Sequence, residues 1–183
     1  LGDKLAEVGI SAPELDASIA SIALAQGELG QARHLYIWSF DLQGIEREVV
    51  EQSGKAFPML HAIDNWISLI AGSYVINEAV NVLVQDLLDA DKPGVRAKLS
   101  KLERELLEHI TFSRGWSEKM LNERGKIPET YRCALSDINS EVESWLEQVD
   151  QATNLQEEGY LTGRGILEPY QEALAQLHTT ERE

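Results

Sequence analysis

Five prolines, at positions 13, 58, 93, 128 and 169, are the only ones in 183 residues, and they stand 35 to 45 positions apart. Proline is accepted in the first turn of a helix and expelled from its interior. The stretches between these prolines are rich in Ala, Leu, Glu, Gln and Ile, all compatible with long helices. The prolines therefore read as the starts of successive helices. No segment sustains the alternation of β-branched residues that a strand requires, so the expected class is all-α. Helices of about 30 residues span roughly 45 Å, and joined by short turns they make an antiparallel long-helix bundle with a short C-terminal helix.

The punctuation places the elements. Ser11-Ala12-Pro13-Glu14 opens the first long run, with Ser11 as the expected cap, and the run reaches about Phe40. Apolar positions 15, 19, 22, 29 and 36 recur at helical spacing and mark its expected core face. Gly44 and Gln52-Ser53-Gly54-Lys55 read as connection, and a second helix is expected from Phe57-Pro58 to Asp89-Ala90-Asp91. Lys92-Pro93-Gly94 is a turn. The third helix carries Leu99, Leu102, Leu106, Ile110 and Trp116 and ends at Asn122-Gly125. A fourth runs from Pro128 to Thr153, a loop holds Gly159, Gly163 and Gly165, and a last helix runs from Glu168 to about His178. Leu1 to Gly9 reads as the tail of an earlier helix truncated at the N-terminus. No linker divides the chain, so residues 1–183 are expected to form one domain.

Composition narrows the function. With 43% hydrophobic and 26% charged residues the chain is that of an ordinary globular protein. A net charge of −15 repels phosphates, so neither nucleic acid nor an anionic membrane is an expected partner. Cys133 is alone and can form no intrachain disulfide, which fits a reducing compartment. No run of about 18 uninterrupted apolar residues occurs, so no membrane span is expected. The expected location is the cytoplasm.

Long-helix bundles can hold two bridged metal ions when two helices each give a Glu and two others each give Glu-x-x-His. Here every slot is close and most are wrong by one group. Gln31-Ala32-Arg33-His34 has the spacing with an amide for the carboxylate. Glu105-Leu106-Leu107-Glu108-His109 has Glu where His belongs, and Asn77-Glu78 stands where a lone Glu is needed. Three readings stay open on these residues alone. One is a degenerate site at Gln31, His34, Asn77, Glu105 and Glu108, with no cofactor. The second is a variant di-iron centre using Glu28, His34, Glu78, Glu105, Glu108 and His109, activating oxygen. The third is a solvated face of ordinary ion pairs, on a bundle that could bury its apolar faces against a copy of itself.

A resemblance adds to this. Ala12-Pro13-Glu14-Leu15-Asp16, Ile22-Ala23 and Leu29-Gly30-Gln31-Ala32-Arg33 resemble a helix signature of the phenylacetic acid catabolic (PaaA/PaaC) family. Glu105 and His109 leading into Phe112-Ser113-Arg114-Gly115-Trp116, and Tyr160-x-Thr162-Gly163, resemble two further stretches of it. The likeness is greatest to the C-type subunits of the ring-epoxidising enzyme. It implies a ferritin-like fold and a place in a multicomponent di-iron oxygenase acting on phenylacetyl-CoA. It also implies a structural subunit, paired with a catalytic A-type subunit that holds the metal, possessing Gln31 and Asn77 where ligands would be. The chain is shorter than that family between Gly125 and Tyr160.

Some residues carry a further expectation. Arg33 is expected to neutralise a buried carboxylate such as Glu105, in place of metal charge. Arg114 with Trp116 is either a helix end or a contact for a partner or a CoA phosphate. Gly163-Arg164-Gly165 is a turn before the last helix. Trp38, Trp66 and Trp145 are expected in the core or between helices. A nucleophilic role for Cys133 is not expected, since no His or Asn arrangement accompanies it.

Overall fold

The structure, a computed structural model, describes residues 1–46 and 57–179. Among them there are helices and turns and no strand. The chain is all-α. In order the helices are α1 (Gly2–Val8), α2 (Leu15–Gln43), α3 (Trp66–Asp89), α4 (Val95–Leu121), α5 (Ile127–Asp150), α6 (Thr153–Glu157) and α7 (Leu167–Thr179), with 3₁₀ turns at Gly9–Ser11 and Pro58–Ala62. Where the sequence reading has one domain, contacts gather into two compact units, Leu1–Leu69 and Ile70–Glu183, divided inside α3.

In the first unit, α1 lies along α2. Two glycines set this distance: a Cβ at Gly9 would sit 2.5 Å from Ser21 Cβ, and one at Gly2 would sit 2.8 Å from Leu29 Cγ. Ser21 faces Gly9, and the Ala25 backbone with Leu29 at the border of the contact faces Gly2; the buried positions of α2 are Ala17, Ser21, Ala25 and Gln31. This corrects the expected core face. Leu15, Ile19, Ile22 and Leu29 are exposed, because the close helix contact selects the small side of α2. Ser11 does not cap α2 either. Its hydroxyl donates to the Val8 carbonyl at 2.7 Å, while extended Glu14 precedes α2 with no side-chain cap. Gly44, in the left-handed region at φ 65°, ends α2.

Pro58 opens a 3₁₀ turn rather than α3. The cap of α3 lies further on: Asn65 Oδ1 accepts from the Ile67 and Ser68 amides at 2.9 and 3.1 Å, and Ser68 Oγ accepts from the Asn65 amide at 3.3 Å. The connection expected at Gln52-Ser53-Gly54-Lys55 lies outside the described residues.

In the second unit polar ties join α3, α4, α5 and α7. Arg114 on α4 reaches Glu78 on α3. Tyr131 on α5 donates to Ser117 Oγ on α4 at 2.5 Å. Tyr170 on α7 donates to Asn139 Oδ1 on α5 at 2.6 Å. Tyr74 on α3 donates to the Ala173 carbonyl on α7 at 3.3 Å. The ring α3–α4–α5–α7 thus returns to its start. Between the ties runs the apolar stripe expected on α4, Leu99, Leu102, Leu106 and Ile110, and α5 buries Leu135, Ile138, Val142 and Leu146. Trp66 is buried, and Trp38, Trp116 and Trp145 are half-buried.

Helix α3 is long and apolar enough, by length and composition, to cross a membrane, and 67% of that stretch is buried inside the chain. It also carries Asn77 and Glu78, both buried.

Candidate functional site

The candidate positions divide between the two units. In the first, Gln31 is buried on α2, Glu28 is half-buried, and Arg33 and His34 are exposed. In the second, Asn77, Glu78 and His109 are buried, Glu105 is half-buried and Glu108 is exposed. The structure does bring α3 and α4 positions together, but through a residue the metal pattern does not contain.

That residue is Arg114. Its Nη2 donates to Glu78 Oε1 at 3.0 Å, and its guanidinium carbon lies 6.0 Å from the centre of the Tyr74 ring. Tyr74 and Glu78 are one turn apart on α3, so both project toward the same part of α4. Burial pushes the Glu78 carboxyl above its ordinary range, and Arg114 and the Tyr74 hydroxyl pull against that without reversing it. Burial, then the Glu78 charge, pushes Tyr74 up to about 12. Burial alone would lower Arg114, yet Tyr74 and Glu78 outweigh it and raise it. Tyr131 and Tyr170 are raised too, chiefly by burial. The centre of this unit is therefore an ion pair ringed by neutral tyrosines. Two of its buried polar atoms, Ser73 Oγ and Arg114 Nε, have no hydrogen-bond partner among the described residues.

Two other candidate donors are used elsewhere. Asn77 Nδ2 donates to the Ser73 carbonyl of its own helix at 2.9 Å. Glu105 faces Lys101 at 3.3 Å, an exposed i, i+4 pair of little energetic weight. Among the described residues, no three His, Cys, Asp or Glu side chains gather where a metal could be held. Among the described residues of the second unit, the side chains do not fit a metal pair. A guanidinium already balances Glu78, the one fully buried carboxylate among the described residues there, and its positive charge opposes a cation at the same place.

The charge compensation expected of Arg33 is provided in the second unit by Arg114. Arg114 is not at a helix end: α4 continues to Leu121. The Phe-Ser-Arg-Gly-Trp string hides its role by directing attention to Gly115. The usable signal is spacing, since Tyr74 and Glu78 share a face of an otherwise apolar helix that needs a cation opposite.

Two carboxylates outside the metal pattern also organise this unit. Asp86 on α3 accepts from the Thr162 amide at 3.0 Å and from the Thr162 hydroxyl. Asp150, closing α5, accepts from the Ile166 and Leu167 amides at 2.8 and 3.2 Å, and so caps α7 from another element. Lys92 donates to the Glu158 carbonyl and sits 3.7 Å from the centre of the Tyr160 ring. Together these hold residues 158–166 against the α3–α4 turn, and Gly163-Arg164-Gly165 is a turn within that segment. Cys133 is exposed on α5.

Comparison with curated proteins finds that the chain is similar to the C-type subunit of 1,2-phenylacetyl-CoA epoxidase from Escherichia coli (strain K12). The two are 29% identical over 129 residues, which cover 67% of this chain and 52% of the relative. The chain thus spans about half the length of the relative it matches. No family model matches the chain.

Proposed function

We propose that this chain is a structural subunit of a multicomponent oxygenase acting on phenylacetyl-CoA or a similar aromatic acyl-CoA. On this reading it is a ferritin-like, cytoplasmic component that supports a metal-bearing A-type partner and binds no iron itself. The observation that carries the proposal is the Arg114–Glu78 pair at 3.0 Å. It balances with protein charge the one α3 carboxylate that the variant di-iron reading would have to give to metal, while Asn77 stands at the lone-ligand position. The likeness to a C-type epoxidase subunit supplies the substrate class and the expectation of a partner. The lone cysteine agrees with a reducing compartment.

Metal analysis of the chain, expressed with iron supplementation and purified with and without a di-iron A-type subunit, tests this. The expected result is iron following the partner alone, in a stable complex with this chain. Roughly two irons per chain on the isolated protein, the complement of a di-iron bundle, would overturn the non-catalytic role. Failure to form the complex would overturn the assignment to such an oxygenase.

A further inference from the structure

Helix α2 is apolar on two neighbouring sides, roughly 110° apart around its axis. One side, Ala17, Ser21 and Ala25, is buried and is the one that faces α1. The other consists of Leu15, Ile19, Ile22, Gln26, Leu29, Arg33, Tyr36 and Phe40, which recur at alternating steps of four and three. That is the repeat of a coiled-coil seam. Its first half faces water, with Leu15 75% exposed, Ile19 58% and Ile22 44%; Leu29, 47% exposed, borders Gly2 of α1, and Tyr36 and Phe40 are half-buried.

Two charges belong to this seam. Arg33 lies in it and Asp16 flanks it; both are exposed, and among the described residues neither has an ion-pair partner. They stand about 25 Å apart along the helix axis. A helix that docks on the seam and satisfies both must present an acid and a base at the same separation, in the opposite order. Helix α2 of a second copy, running antiparallel, does so.

We propose that the seam is the docking surface for a second copy of this chain, α2 against antiparallel α2, with Arg33 of each copy on Asp16 of the other. The two-fold axis then crosses each helix between Leu24 and Ala25. Ile19 of one copy packs at Leu29 and Gly30 of the other, and Ile22 packs near Gln26. Such an interface is isologous and closes on itself. Gly30 agrees with it. A Cβ there would meet nothing within 4 Å, so no contact among the described residues requires a glycine that weakens the helix. Its bare backbone leaves room for Ile19 of the second copy. Gln26 and Arg33 are the polar seam positions that fix register at some cost in affinity. The inference stands apart from the proposed oxygenase role.

Sedimentation velocity of the full chain over a wide concentration range tests it. The expected result is a monomer–dimer equilibrium that Ile22→Glu abolishes while helical content by circular dichroism is unchanged. Arg33→Asp and Asp16→Arg should each weaken dimerisation by roughly tenfold or more, through like-charge contact, and the double exchange should restore it. A chain monomeric at every concentration would overturn the proposal and leave the seam to a different partner. A dimer indifferent to Ile22→Glu, or a double exchange no tighter than either single change, would overturn it equally.

Discussion

Arg114 Nη2 lies 3.0 Å from Glu78 Oε1, and this contact joins α4 to α3 at the centre of the second unit. The Glu78 side chain is 4% exposed and that of Arg114 is 36% exposed. A pair so placed is costly to break and cheap to replace, because desolvation offsets most of the attraction. Arg114→Met should therefore destabilise the chain by about 2 kcal/mol, less than a fully buried pair because the guanidinium is partly solvated. Adding Glu78→Leu should recover most of that loss, since the orphaned carboxylate is then gone. Urea denaturation of the two single variants and the double variant measures the coupling. Additive losses would show that the contact does not bind the helices together.

Helix existence is legible in the sequence because proline and glycine act locally. Pro93 and Pro128 stand within two residues of the starts of α4 and α5, and the α4 stripe lies where its spacing puts it. The wrong face of α2 has a long-range cause. Periodicity finds apolar sides, but α2 has two, and the choice belongs to Gly9, twelve residues before Ser21, and Gly2, twenty-seven before Leu29. The start of α3 is misplaced by the sequence reading because Pro58 is as suitable for a 3₁₀ turn as for an α-helix, while Asn65 and Ser68 form the actual cap. For the candidate site, Asn77 and Glu78 are visible as polar residues in an apolar run. Their partner is not, since Arg114 is thirty-six positions beyond Glu78 and reaches it only through tertiary packing.

The α1–α2 contact gives the sharpest steric expectation. A Cβ added at Gly9 would lie 2.5 Å from Ser21 Cβ, closer than packed carbon atoms approach, and both belong to backbone-anchored positions that cannot turn aside. Gly9→Ala should cost about 1–3 kcal/mol, the usual range for overpacking. Gly115→Ala makes the contrasting case. That position lies inside α4 with nothing within 4 Å of the added atom, so the change should stabilise by up to about 1 kcal/mol. Thermal melts of both variants decide the matter, and equal effects would contradict the close approach of α1.

The buried tyrosines predict alkaline sensitivity. Tyr74 is raised from 10.0 to about 12 by burial and the nearby Glu78 charge. A phenol whose folded value is raised holds its proton more tightly in the native state. Its contribution is complete below about pH 10 and is lost as pH climbs from there toward 12. Stability should fall steadily across that interval, and Tyr74→Phe should make the fall shallower. Urea midpoints measured between about pH 9 and 12 report the slope. An unchanged slope in Tyr74→Phe would place the alkaline sensitivity elsewhere.

Asp150 caps α7 from the end of α5, its two carboxylate oxygens accepting from the Ile166 and Leu167 amides. Both donors belong to the unsatisfied first turn of a helix, where a negative charge is also favoured by the helix dipole. Asp150→Ala removes both acceptors and should cost about 1–2 kcal/mol, the usual value of an N-cap. The loss should be local. Tyr170 still ties α7 to Asn139 at 2.6 Å, so the helix should fray from Leu167 rather than detach. Hydrogen exchange should rise over the first turn of α7 and stay unchanged in α4. Uniform loss of protection across both helices would mean that Asp150 holds the whole bundle and not one helix end.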